Sequence, residues 1–228
     1  MKKLLFFILC MLFAVANCSS GNETDLGNPE VRVETTDYEL INNLVVGERF
    51  YRSARRTEEH ADCFWKDAVI RTSWQKGGVE SFVGRSSVET RRGMMMVNRS
   101  GGVLIHLNGE RAFAEYPSTT IRSVMIDNTE AVLTSYMRLL YKIVKRGGKW
   151  RILELVSLNE GDQLTPAVPG ANLNINTELA EKLRPSYRWL AYSRIAAGGT
   201  ESDDLPGTDR PEDVKKLYDE FNNWLNGG

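Results

Sequence analysis

The feature that most constrains this chain is a run of four strand-like segments joined by turn signals. VLIHL (103–107) leads through Asn108-Gly109 into RAFAEYPSTTIRSVMI (111–126). A turn at Asp127-Asn128 then opens EAVLTSYMRLLYKIVK, and Gly147-Gly148 reverses that stretch into KWRILELVSL. Asn-Gly between alternating apolar residues is a strong short-range hairpin signal, because both residues tolerate the positive φ a tight turn needs. The segments are rich in β-branched and aromatic residues, so the pattern predicts a meander of long antiparallel strands. Such a sheet must cover an apolar face, and the residues before it supply the helices.

Thr36 and Glu39 in TDYE form a capping box that starts a helix. Leu40, Leu44 and Tyr51, with Ile41, Val45 and Phe50, give that helix a broad apolar stripe. EEHADCFW predicts a short second helix with Cys63 and Phe64 inward. AVIRTSW (68–74) alternates like a strand, and VESFVGRSSVE (79–89) returns to helical spacing. A helical third followed by a meander predicts an α+β fold, a curved antiparallel sheet wrapped around N-terminal helices, and not alternating βαβ units. Residues 161–176 read as a loop and two helical stretches follow, around 177–196 and 210–225. Asp209 is the expected cap of the last, with Pro211 in its first turn and Glu212 completing a capping box. Its Val214, Leu217, Tyr218, Phe221 and Leu225 make one apolar face, which must lie against the body.

The leader is an address. Lys2 and Lys3 precede an apolar run from Leu4 to Ala16, too short to span a bilayer and suited to a secretory signal. Cleavage after Ala16 would release an exported protein. Alternatively, VANCSS resembles a bacterial lipoprotein signal, with Cys18 lipidated and a polar tether behind it. The organisation expected is therefore a signal at 1–18, a tether at 19–34, a body at 35–162 and a C-terminal extension at 163–228 packed on it. The expected location is periplasmic or lipid-anchored to the cell envelope, or secreted, with membrane contact only through the anchor. Lys and Arg number 29 against 30 Asp and Glu, a net charge of −1, which leaves no excess for holding nucleic acid by counterion release. The chain shows no Gly-rich phosphate loop and no spacing suited to a metal, so no cofactor is expected.

GERAFAEYP, SYMRLLYKIVKRGGKWRI, DQLTPAVPGANL, RPSYRWLAY and LPGTDRPE, in this order, resemble the SnoaL-like branch of the nuclear transport factor two-like superfamily. The resemblance spans roughly residues 36–228. It implies a cone with an apolar pocket for a small hydrophobic molecule, and cofactor-independent lyase, isomerase or cyclase chemistry. It equally allows a non-catalytic ligand-binding module, a homodimer through the sheet, or an envelope protein whose C-terminal helices dock a partner. Where related sequences often carry histidine in a pattern like YHPD, this chain reads Phe64-Trp65-Lys66-Asp67, and tryptophan cannot act as a base.

Proton transfer beside a carbonyl needs a base and a donor for the developing oxyanion. His60 lies among Glu58, Glu59 and Asp62 and reads as a partly exposed helical histidine held by carboxylates. His106 points either into the pocket or outward, and is the expected base if inward, with a pocket carboxylate as the alternative. Tyr51, Tyr136 and Arg138 are the expected donors; Arg138 facing outward would instead be a solvated sheet charge. Trp65, Trp74 and Phe82 are the expected pocket lining. Glu115 reads as outward, Glu160 and Asp162 as rim residues, and Trp150 and Ile152 as core.

Overall fold

The computed structural model describes residues 35–73, 75–83, 95–200 and 203–228. The first helix, α1, runs Asp37–Ser53 and opens with the expected capping box. The Glu39 amide donates to Thr36 Oγ1 at 3.3 Å, and the Thr36 amide to Glu39 Oε2 at 2.7 Å. Asp37 then fastens this end to the sheet, accepting from Trp150 Nε1 at 2.7 Å and Lys145 Nζ at 2.9 Å. Ile41 and Val45 are fully buried, whereas Leu40 and Phe50 are exposed, so the apolar stripe is narrower than its composition suggested. The short helix α2, Thr57–Asp62, follows directly.

Seven strands form one open, curved sheet: β1 Phe64–Arg71, β2 Lys76–Gly78, β3 Met96–Ser100, β4 Leu104–Asn108, β5 Arg111–Ile126, β6 Thr129–Arg146 and β7 Lys149–Pro166. Their order is β2-β1-β7-β6-β5-β3, with β4 also paired to β5. The hairpins joining β4 to β7 stand where the turn signals put them. Gly109, Gly147 and Gly148 take positive φ at two of these turns. The sheet is mixed, however, because β1 runs parallel to β7. No hairpin links those two strands, so nothing local sets their relative direction.

Two further expectations change. β7 continues to Pro166 through residues expected to be loop, because the full length of β6 offers partners: Gly161 meets Tyr136 and Thr165 meets Val132. Only a single 3-10 turn, Val79–Ser81, stands at the start of the stretch expected to be helical; residues 84–89 of that expectation lie outside the described residues.

Pleat alternation separates two faces. Ala112, Ala114 and Tyr116 of β5, with Leu139, Tyr141 and Ile143 of β6, join Ile41 and Val45 of α1 in the inner core. Phe113, Leu140 and Val156 point the other way. The C-terminal chain covers both faces. Helices α3, Thr177–Lys182, and α4, Arg188–Ala196, pack Tyr187, Leu190 and Tyr192 near Leu133, Ala131 and Ile126. These contacts lie toward the far end of β5 and β6. The single helix suggested for 177–196 is broken at Pro185, which removes a backbone donor and crowds the preceding turn.

Helix α5, Pro211–Leu225, lays Leu217, Phe221 and Leu225 on the outer face against Phe113, Leu140 and Val156. Its N-cap is Arg210 without a side-chain bond. Asp209 accepts instead from Arg184 Nη2 at 2.7 Å and Ser186 Oγ at 2.5 Å, since a guanidinium competes better than a lone amide. Gly207 lies within this latch, where a Cβ would stand 2.1 Å from Ser186 Oγ.

Candidate active site

Along α1 the buried positions are Ile41, Val45 and then Glu48, one turn apart on one stripe. Helical spacing thus drives a carboxylate into the inner core, where its side chain is fully buried. Three groups answer it. Arg49, its neighbour in the chain, donates to both carboxylate oxygens through Nε and Nη2. His60 of α2 sits with Nε2 3.0 Å from Oε1, and Tyr141 of β6 donates its hydroxyl to Oε2 at 3.1 Å. Phe64 and Phe82 wall the imidazole, each with its ring centre 5.5 Å away. The guanidinium of Arg52 lies 4.3 Å above the Phe82 ring.

The electrostatics assign different tasks to these groups. Burial alone would push Glu48 up, but the Arg49 charge and the hydrogen bond from His60 outweigh it and hold the carboxyl down at about 2. Glu48 is therefore ionised at neutral pH and too weak a base to take a proton. It acts on His60 by orienting it. An ionised carboxylate facing Nε2 requires the proton on that nitrogen, which leaves Nδ1 to accept or release one. Burial raises the Tyr141 phenol well above its ordinary value, and the Glu48 charge adds to this, so its hydroxyl remains a donor. Burial and then the Arg49 charge lower Arg52 to about 10. Cys63 is pushed up to about 12 by burial and by Glu48, and gives its thiol hydrogen to Glu59 O.

His60 is thus not the partly exposed, locally paired residue its acidic neighbours suggested. It is 3% exposed and its partner comes from α1, twelve residues back. Of the residues expected at the site, Phe82 stands beside His60, and Tyr51 packs at the margin of the inner core with Arg56 over its ring. His106, Tyr136 and Arg138 have the opposite pleat parity and lie on the outer face, away from this cluster. His106 is 44% exposed, stacks on Phe113, and lies 3.6 Å from Glu115. Arg138 joins Glu160 at 2.6 Å and donates to the Tyr218 hydroxyl at 2.5 Å; that hydroxyl donates to Glu115 at 2.6 Å. Together Arg138 and Tyr218 fasten α5 to the sheet. Tyr136 is exposed. Trp65 turns from Phe64 and donates its indole N–H to Val144 O at 3.0 Å, with Arg146 and Arg151 over its ring. Trp74 and Cys18 lie outside the described residues.

One open depression of about 550 Å3 flanks the other side of α1, between Tyr38, Asn42, Asn43 and Ile105. The carboxylate there, Glu39, is committed to the capping box. Among the described residues no group of three or more His, Cys, Asp or Glu is placed to hold a metal.

The chain shares 25% identity over 202 residues with an uncharacterised protein of Emericella nidulans, covering 82% of this chain and 85% of the other. It shares 23% over 197 residues with pea pathogenicity protein 2 of Fusarium vanettenii, covering 82% and 84%. Among solved structures it resembles the hexachlorocyclohexane dehydrochlorinase LinA-type3 from Novosphingobium barchaimii with a TM-score of 0.45 and 14% identity. That likeness covers 59% of this chain and 92% of the other. The family model described as a SnoaL-like domain matches residues 33–156, which takes in α1, α2 and the sheet as far as the middle of β7. With more than half its length matched, the chain belongs to the SnoaL-like domain family.

Proposed function

We propose that this protein is a cofactor-independent acid–base enzyme, a lyase or isomerase, acting on a small hydrophobic molecule held against the inner face of the sheet. His60 is the base, Glu48 orients it, Arg49 keeps Glu48 ionised, and Tyr141 donates its hydroxyl to the same carboxylate. The observation that carries the reading is the Glu48–His60 contact inside an otherwise apolar core. A buried charge is costly and a purely structural core would be served as well by leucine, so an oriented imidazole there favours chemistry. The carboxylate–imidazole pair follows the division of labour of hydrolytic triads, in which the acid holds the imidazole and the imidazole moves the proton. Export, with Cys18 as a lipid anchor or Ala16 as the cleavage point, belongs to the same proposal and would place this chemistry outside the cytoplasm.

Exchange of α-protons tests the reading without knowledge of the natural substrate. Cyclic ketones are incubated with the protein in deuterated water and followed by NMR. The full protein should speed deuterium uptake into at least one of them, and His60→Gln should lower that rate by roughly 100-fold or more. Uptake that persists in a folded His60→Gln variant, or no acceleration by the unmodified protein, would remove His60 as the base.

A further inference from the structure

Three of the buried tyrosines among the described residues commit their hydroxyls to the fold. Tyr141 donates to Glu48 at 3.1 Å, Tyr187 accepts from Arg184 Nη1 at 3.2 Å, and Tyr192 accepts from the Asn176 amide at 2.8 Å. Tyr116, the tyrosine of GERAFAEYP, is buried as well, at 5% exposed, yet its hydroxyl has no hydrogen-bond partner among the described residues. We propose that Tyr116 is a further catalytic residue, the donor that binds the carbonyl oxygen of a ketone substrate and holds the charge that forms on it. The inference rests on the reading of His60 as the base.

Its position fits that role. Tyr116 faces Leu139 across the β5–β6 pair, and Ala114, two residues back, faces Tyr141. Tyr116 and Tyr141 are therefore diagonal neighbours on the inner face, about 7–8 Å apart and within reach of each other's rings. Tyr141 in turn bonds the carboxylate that orients His60. The uncommitted hydroxyl thus shares a face with the base, one diagonal step from the base's own support. Tyr136 and Arg138, expected as donors, stand on the outer face, and Tyr141 is already engaged by Glu48.

A phenol shielded from water without a partner is a cost to the fold that phenylalanine of the same shape would avoid. The hydroxyl is satisfied when an acceptor is brought to it. In the step proposed, His60 Nδ1 takes a proton from the carbon beside the carbonyl. That C–H bond breaks, its electron pair forms a C=C bond, and the π pair of the C=O bond moves onto oxygen. The Tyr116 O–H bond stays intact and donates a hydrogen bond to that oxygen, which strengthens as the charge grows. Return of the proton to carbon closes the cycle, so no further reactant is consumed.

Cyclohexanone with an isotope-labelled carbonyl, added to the full protein, tests the assignment by infrared difference spectra and by deuterium exchange. Tyr116→Phe should lower the exchange rate at saturating ketone by roughly 100-fold with little change in KM. Its bound carbonyl band should lie at higher frequency than in the unmodified protein, because the hydrogen bond that weakens the C=O bond is gone. His60→Gln should lose exchange and keep the band of the unmodified protein, which separates the two residues. Since the hydroxyl supports nothing in the fold, Tyr116→Phe should also melt at or above the unmodified protein. If the unmodified protein shows the Tyr116-dependent band without exchange, the base assignment falls and Tyr116 stands as the group that binds the carbonyl. No bound band, a band unmoved in Tyr116→Phe, exchange that Tyr116→Phe leaves unchanged, or a Tyr116→Phe protein melting well below the unmodified one would overturn the proposal.

Discussion

At the scale of single residues, Glu48 sets the pH behaviour of the inner core. Its carboxyl sits at about 2 in the folded protein against 4.5 as a free side chain. A lowered folded value means the stabilisation is complete above pH 4.5 and is lost as the pH falls toward 2. Glu48→Gln strands Arg49 without its charge partner, and should cost about 3 kcal/mol at pH 7 in urea unfolding. The gap between the two proteins should close between pH 4.5 and 2; a gap that stays constant across this window would show that Glu48 is not held ionised. Glu48 was legible in part. It falls on the helical stripe after Ile41, Leu44 and Val45, and a carboxylate on an apolar stripe is itself a signal. His60 gave the opposite hint, because three acidic neighbours in sequence suggested a solvated helix.

At the scale of elements, α5 is held by a mixed surface. Phe221 meets Phe113 with ring centres 5.0 Å apart, and around it Glu220 accepts from Lys142 at 2.6 Å and Arg71 at 3.0 Å. Burying the aromatic does most of the work, since partly exposed ion pairs contribute little. Phe221→Ala should lower stability by about 3–4 kcal/mol, read by chemical denaturation. Lys142→Met should cost much less, because its stem already lies on the apolar patch. If the two variants cost the same, charge and not packing seats the helix. The apolar face of α5 was plain from Leu217, Phe221 and Leu225 at helical spacing, but the sheet residues that receive it were not. Phe113 and Ala114 are equally apolar and point to opposite faces.

Across the whole molecule, the long strands divide the sheet into a protected centre and open margins. β6 is paired along both edges, to β5 and β7, and is covered by α1 and the C-terminal helices. β2 is three exposed residues at one edge, and β3 closes the other. Hydrogen exchange should therefore leave the amides of Leu139–Ile143 among the slowest and those of β2 and β3 among the fastest. Comparable rates at both places would mean that the sheet opens as a unit.

Local sequence decided the strands β4 to β6 and their turns, the capping box of α1 and the two apolar faces of the leading and closing helices. Each depends on chemistry within a few residues: a turn dipeptide, an alternation or a cap. Tertiary structure alone decided that β1 joins β7 in parallel, that β7 runs on to Pro166, and that His60 meets Glu48 and not its neighbours. It also turned His106 and Arg138 to the outer face while bringing Tyr141 inside. Alternation specifies that neighbouring residues of a strand part company, but which set is buried depends on what the rest of the chain lays against each side.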